Sequence, residues 1–176
     1  EMGEHAMALL LAVARKIPQL SAATAKGAWL ESRQIACQTH RLEGRVLGLV
    51  GFGDSAIETA KRAKGFGFRI VATRRRLDAP CAEAEELGVQ MVDLDTLLAT
   101  SDYVSLHLPL TPENYHMFDE KALRGMKRGA VLINTARGGV VEETALIDAV
   151  KLRAALAEVL ADPDDAVRAG LAAEIA

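Results

Sequence analysis

The chain has 176 residues, half of them hydrophobic but only 4% aromatic, and a formal net charge of −3. That length accommodates one domain with its own core, and a composition rich in Ala, Leu and Val suits an α/β protein. So mild a charge argues against nucleic acid or a membrane surface as partner. The two cysteines, Cys37 and Cys81, lie far apart. They indicate neither a metal site nor a disulfide framework, and they point to a reducing cytoplasm.

The chain opens on Glu1 rather than Met, so it is expected to be a fragment or a processed chain. Glu4 to Ile17 predicts one long helix ended by Pro18. The apolar run Ala6–Ala14 is too short to span a bilayer, and Glu1 and Glu4 before it carry the wrong charge for a signal peptide. Met7, Leu9, Leu10, Leu11 and Val13 make this helix apolar nearly all round. Such a helix needs burial on every side, and a single sheet covers only one. A second chain or a segment beyond this one is expected to cover the rest, a symmetric homodimer being the commonest closed assembly. A second helix is predicted over Ser21–Trp29, with Trp29 packed inside, and Gln34–Leu42 reads as a loop.

The next segment is the most informative in the chain. Val46 to Val50 is a short apolar strand, followed by Gly51-Phe52-Gly53-Asp54-Ser55-Ala56 and a helical pattern. This is a strand, a glycine turn and a helix start in the G-x-G-x-x-A form of a dinucleotide-binding fingerprint. Gly51 permits the tight turn, Gly53 lets a pyrophosphate approach the backbone, and Ala56 lets the helix pack closely. The helix N-terminus offers free N–H groups and the positive dipole end. Ala60, Ala63 and Phe66 continue at helical spacing, and Gly65-Phe66-Gly67 ends that helix.

Phe68–Ala72 is the next strand. About 20 residues past the glycines an NAD site places Asp or Glu on the ribose 2′-hydroxyl, but Thr73-Arg74-Arg75-Arg76 stands here. Arginines pair with a 2′-phosphate, which a carboxylate would repel. Arg74 and Arg75, helped by the Thr73 hydroxyl, therefore favour NADP(H), with NAD(H) the alternative cofactor. The competing reading is a solvated basic loop.

Cys81–Leu87 predicts a helix closed by Gly88, Val89–Val92 a short strand, and Asp93-Leu94-Asp95 the cap of a brief helix to Ala99. Tyr103–Leu106 is a strand ended by His107-Leu108-Pro109. Asp119–Met126 is a helix, Val131–Asn134 a buried strand, and Glu142–Val150 a helix. Strands alternating with helices imply a doubly wound parallel sheet of the Rossmann type. Gly51, Arg74, His107 and Thr135 all fall at carboxyl ends of strands, where such sheets bind ligands. The chain divides into residues 1–42 (linking and dimerisation helices), 43–150 (dinucleotide-binding domain) and 151–176 (an Ala-rich, helix-patterned tail without evident chemistry).

Three stretches resemble the D-2-hydroxyacid dehydrogenase family, which includes phosphoglycerate dehydrogenase, glyoxylate/hydroxypyruvate reductases and C-terminal-binding-protein corepressors. Glu4–Leu11 resembles its linking helix, Leu47–Gly53 its nucleotide loop, and Ser101–Glu113 its next signature. Ile133-Asn134-Thr135-Ala136-Arg137-Gly138-Gly139-Val140-Val141-Glu142-Glu143 is the most specific match, and the resemblance covers roughly residues 1 to 150. It implies an NAD(P)-dependent oxidoreductase of small 2-hydroxy or 2-oxo acids, present as its cofactor-binding domain. Arg137 would grip the substrate carboxylate and polarise the carbonyl. Thr135 and Ala136 would line the nicotinamide, and His107, Leu108 and Pro109 the adenosine half. His107 matches a cleft position rather than the catalytic histidine, while His5, His40 and His116 are read as structural or surface residues.

The chain also departs from the family. The family's acid/base histidine and its orienting glutamate lie downstream of the arginine strand. No histidine follows His116, and residues 154–163 only faintly resemble the glutamate segment, so its role is not carried onto Glu158 or Asp162. A positioned acid/base contributes typically about 10²–10⁴-fold. Most of the substrate domain is absent as well. Asp54 and Ser55 stand where the family often has Arg and Ile, and a carboxylate beside a pyrophosphate is unfavourable. The alternative functions are a nucleotide-binding, dimerising module without catalysis, like the corepressor relatives, and a truncated remnant.

Overall fold

The structure is a computed structural model, and it describes residues 1–151. Five strands are joined side by side: β1 (Val46–Val50), β2 (Arg69–Thr73), β3 (Gln90–Met91), β4 (Tyr103–Leu106) and β5 (Val131–Asn134). All pair in parallel, in the order β3-β2-β1-β4-β5. This is the doubly wound sheet that the alternating pattern implies. β1 is central and buried along its whole length, as a strand covered on both faces must be. Val50 pairs with Thr73 on one side and Leu106 on the other, and Leu106 pairs with Asn134. The carboxyl ends of four strands are therefore level, and Gly51, Arg74, His107 and Thr135 leave the sheet side by side.

Two apolar layers cover the faces. Leu47 and Leu49 of β1 pack with Ala56, Ala60 and Ala63 of α4 (Asp54–Lys64), and with Met7 and Leu10 of α1 (Met2–Ala14). Val50 points the other way, to Leu97 and Leu98 of α6 (Leu94–Thr100), Phe118 and Val140. A β-carbon on Gly48 would fall 2.6 Å from Leu97 Cδ2, so only glycine lets α6 lie this close to β1. α5 (Ala82–Leu87) is closed by Gly88 in the left-handed region (φ +67). Asp93 and Asp119 cap α6 and α7 (Glu120–Gly125), accepting from Thr96 and Ala122 N–H. Phe66 does not continue the α4 stripe: it lies beyond the helix end and is exposed. A final helix runs from residue 143 to the end of the described residues. Most of the tail, with Glu158 and Asp162, lies outside them.

The N-terminal region differs from the sequence expectation. The first helix ends at Ala14, not Ile17, and Pro18 starts the next helix instead of stopping the first. Lys16 adopts a left-handed conformation (φ 52), and α2 (Ile17–Ala25) begins with Pro18 in its first turn, where a missing N–H costs nothing. The two helices meet at a 61° bend. The expected second helix is thus displaced, and α3 (Trp29–Cys37) takes up the first residues of the expected Gln34–Leu42 loop. Trp29 was expected to pack, but it is 71% exposed, with Leu30 beside it. α1 buries Gly3, Ala6, Met7 and Leu10. A β-carbon on Gly3 would fall 2.9 Å from Glu58 Cβ, a measure of how tightly α1 sits on α4. Its other face, with Leu9 and Val13, is exposed.

Candidate cofactor site

Gly51 leaves β1 with φ +90, and its N–H donates to Thr73 O at 3.0 Å. A β-carbon there would lie 2.5 Å from His107 O, so this turn admits glycine alone. Gly53 is the N-cap of α4 in extended conformation, and a β-carbon on it would meet nothing. The space beside it is open, at a helix start whose first N–H groups have no partner within the helix, which is the setting a phosphate group requires. Ala56 is fully buried one turn on. Phe52 rests against the α4-side core. The residues present therefore fit a dinucleotide, except that Asp54 places a carboxylate in the first turn.

His107 ties this loop to the next strand. Its Nδ1 is 3.2 Å from Ser55 Oγ and its Nε2 2.9 Å from Ser105 Oγ. Its own backbone N–H donates to Val50 O at 2.7 Å. Burial pushes its pKa down to about 4, so the ring is neutral near pH 7, with one nitrogen donating and the other accepting. A neutral ring with both nitrogens engaged suits a positioning role better than proton transfer. Leu108 packs on the α6-side core, and Pro109 is exposed with its carbonyl accepting from Asn114 Nδ2 at 2.6 Å.

At the end of β2, Thr73 is buried. Arg74 folds back on its own loop: its guanidinium donates to the carbonyls of Ala79 and Pro80. Arg75 and Arg76 are exposed. The two arginines named from the sequence thus occupy different environments, one tying the loop and the other facing solvent.

At the end of β5, the Asn134 side chain shapes the loop that carries Arg137. It accepts from Ala136 N–H at 3.0 Å and donates to Arg137 O at 3.0 Å. Thr135 and Ala136 are half-buried and Arg137 is exposed, with Nη1 donating to Ala136 O at 2.9 Å. A 3₁₀ turn, Gly138–Val140, follows. The segment after β4 clamps it. His116, in the left-handed region (φ 54), donates its N–H to Gly139 O at 2.9 Å, its ring stacks on Tyr115, and Phe118 bridges to Val141. His116 therefore braces the arginine loop and is more than a surface residue. Met2 and His5 of α1 face this loop across a cleft of ≈ 500 Å³ lined by Asn134, Thr135, Ala136, Arg137 and Gly138. Sequence reasoning missed Asn134, although an Asn at a strand end is a turn former. It also missed His5, whose place in the cleft depends on how α1 packs.

Residues 7–162 match the family described as D-isomer specific 2-hydroxyacid dehydrogenase, NAD binding domain. The chain belongs to this family. It is 49% identical to glyoxylate reductase of Thermococcus litoralis over 150 residues, which are 83% of this chain and 45% of that protein. Hydroxypyruvate reductase of Thermotoga maritima is 40% identical over 85% of this chain and 46% of its own length. Among solved structures, apo D-lactate dehydrogenase from Escherichia coli superposes with a TM-score of 0.77 at 36% identity, over 85% of this chain and 46% of that one. The chain therefore spans somewhat under half the length of these relatives, and the half it spans is the nucleotide-binding part. All three are named as oxidoreductases.

Proposed function

We propose that this chain is the cofactor-binding half of a reductase of small 2-oxo acids that prefers NADP(H) to NAD(H). The observation that carries the proposal is the level edge, where the Gly51–Gly53 turn, the β2 arginines and the Arg137 loop stand side by side. The pyrophosphate would lie on the N–H groups that open α4, with Gly51, Phe52, Gly53, Asp54 and Ser55 around it. Arg75, exposed at the end of β2 beside buried Thr73, would pair with the 2′-phosphate, while Arg74 holds the loop in shape. His107, Leu108 and Pro109 would border the adenosine half, and Thr135 and Ala136 the nicotinamide.

The bound nicotinamide supplies the hydride. Arg137 does the rest of what this chain offers: its guanidinium grips the substrate carboxylate and stabilises negative charge growing on the carbonyl oxygen. His107, neutral and held by two serines, moves no proton.

A second reading keeps the nucleotide site and drops turnover. It is favoured by the exposed apolar residues of α1 and α3, Leu9, Val13, Trp29 and Leu30, which suit a dimerising module. Those residues also support a symmetric homodimer in either reading. We place the protein in the cytoplasm, on the strength of its sparse, unpaired cysteines.

Calorimetric titration with NADPH and then NADH tests the proposal. Tight binding of NADPH with much weaker NADH supports it, and equal affinity overturns the preference. Oxidation of NADPH by glyoxylate separates the reductase from the non-catalytic module. Sedimentation tests the dimer, which a monomer at micromolar concentration refutes.

A further inference from the structure

The cleft beside Arg137 has a second wall. One side is the Asn134–Gly138 segment, and the other is the first turn of α1, where Met2 and His5 lie three residues apart on one helix face. Its lining brings together the Arg137 guanidinium and the His5 imidazole from two different elements, and among the described residues no carboxylate lines it. Glu4, next to His5, is drawn away to Arg62 Nη2 at 2.8 Å, and that hydrogen bond holds its carboxyl below the usual range. The Asn134 amide is spent on its own loop, donating to Arg137 O and accepting from Ala136 N–H. His5 is exposed, and of the two α1 residues that line the cleft, Met2 and His5, it is the one whose side chain carries a hydrogen-bond donor.

We propose that His5 is a second anchor for the ligand of this cleft, donating from its ring to the carboxylate of a small 2-oxo acid that Arg137 holds from the other side. The ligand class rests on the reading of Arg137 above. The physical need is orientation. A lone exposed guanidinium binds a carboxylate but leaves it free to pivot about the fork axis, whereas a second donor on a different element fixes which face of the adjoining carbonyl is presented. α1 packs directly on α4 through Gly3, so a donor on its first turn is held relative to the nucleotide loop that α4 begins.

The test uses the full chain, histidine labelled with ¹⁵N, titrated with oxalate as a non-reducible dicarboxylate. The anchor predicts saturable shifts of the His5 ring resonances, with those of His40 and His116 unmoved, and their loss in Arg137→Met. A hydrogen bond to a charged acceptor corresponds to roughly 10- to 100-fold in affinity, so His5→Phe should weaken oxalate by that factor and His5→Gln, which keeps a donor, by less. Because His5 is exposed, both variants should melt with the parent chain. Oxalate that binds without moving the His5 ring, binds His5→Phe unchanged, or fails to bind overturns the anchor. NADPH titration of the same sample separates the two claims. NADPH binding with an unmoved His5 removes the anchor alone, while a responsive His5 without NADPH binding removes the cofactor reading alone.

Discussion

Two glycines two residues apart should fail in opposite ways when given a methyl group. Gly51 sits at φ +90 and a β-carbon on it would fall 2.5 Å from His107 O and 2.8 Å from His107 C, both backbone atoms. Alanine there costs about 1–2 kcal/mol for the left-handed backbone. Pushing aside the β4 end adds about 1–3 kcal/mol, the usual range for overpacking. A domain of this size loses about 2–4 °C of melting temperature per kcal/mol, so Gly51→Ala should melt roughly 5–15 °C below the parent chain. Gly53 has extended backbone that alanine adopts freely, and its β-carbon would meet nothing. Gly53→Ala should stay within about 1 kcal/mol of the parent, the small loss coming from a weaker N-cap. Its methyl group fills that open space instead, and NADPH affinity should fall at least about tenfold, which is about 1.4 kcal/mol. Circular-dichroism melts and calorimetry on the two variants check this. A Gly51→Ala chain that melts with the parent, or a Gly53→Ala chain that binds NADPH normally, refutes the loop geometry.

The other predictions concern charge. Asp54→Arg replaces a repelling carboxylate at the helix start with an attracting cation. It should tighten NADPH by a few-fold or more, a single charge at a helix end being worth about 0.3–1 kcal/mol; unchanged affinity in calorimetry counts against the placement. Arg75→Ala should weaken NADPH and leave NADH nearly unchanged, collapsing the affinity ratio, and an unchanged ratio shows that Arg75 does not meet the 2′-phosphate. His107 has a folded-state pKa of about 4 against an ordinary 6.5, so the unfolded chain takes up its proton first as pH falls. Stability tied to this ring is whole above pH 6.5 and is lost between there and pH 4, by at most roughly 3 kcal/mol. Urea melts should show that loss in the parent and a flatter profile in His107→Gln; parallel profiles would rule the burial effect out.

Much of this molecule was legible in its residues because the informative signals are local. The Val46–Val50 strand, the glycine turn and the Ala56/Ala60/Ala63 stripe each follow from spacing alone, and their coincidence leaves few folds to choose from. The level edge was legible too, since residues just past parallel strands must gather there. The N-terminal helices were not. Pro18 is compatible with ending one helix or starting another, and what decides between them is the left-handed turn at Lys16, which no local pattern announces. Trp29 is large and apolar, and nothing in its neighbours reveals that α3 turns it to solvent. Within the site, Arg74 and Arg75 look alike in sequence, yet the loop carbonyls of Ala79 and Pro80 claim one of them. His5 reached the cleft only because α1 docks its first turn beside β5.

The most direct measurement of the central claim is a ¹⁵N-amide NMR titration of the full chain with NADPH. The largest shifts should fall at Gly51, Gly53, Ser55, Arg75, His107, Thr135 and Ala136, along one edge of the sheet, while the opposite edge, where Arg45 just before β1 pairs with Asp102 just before β4 at 3.2 Å, stays still. Shifts scattered away from that edge, or none at all, would contradict it.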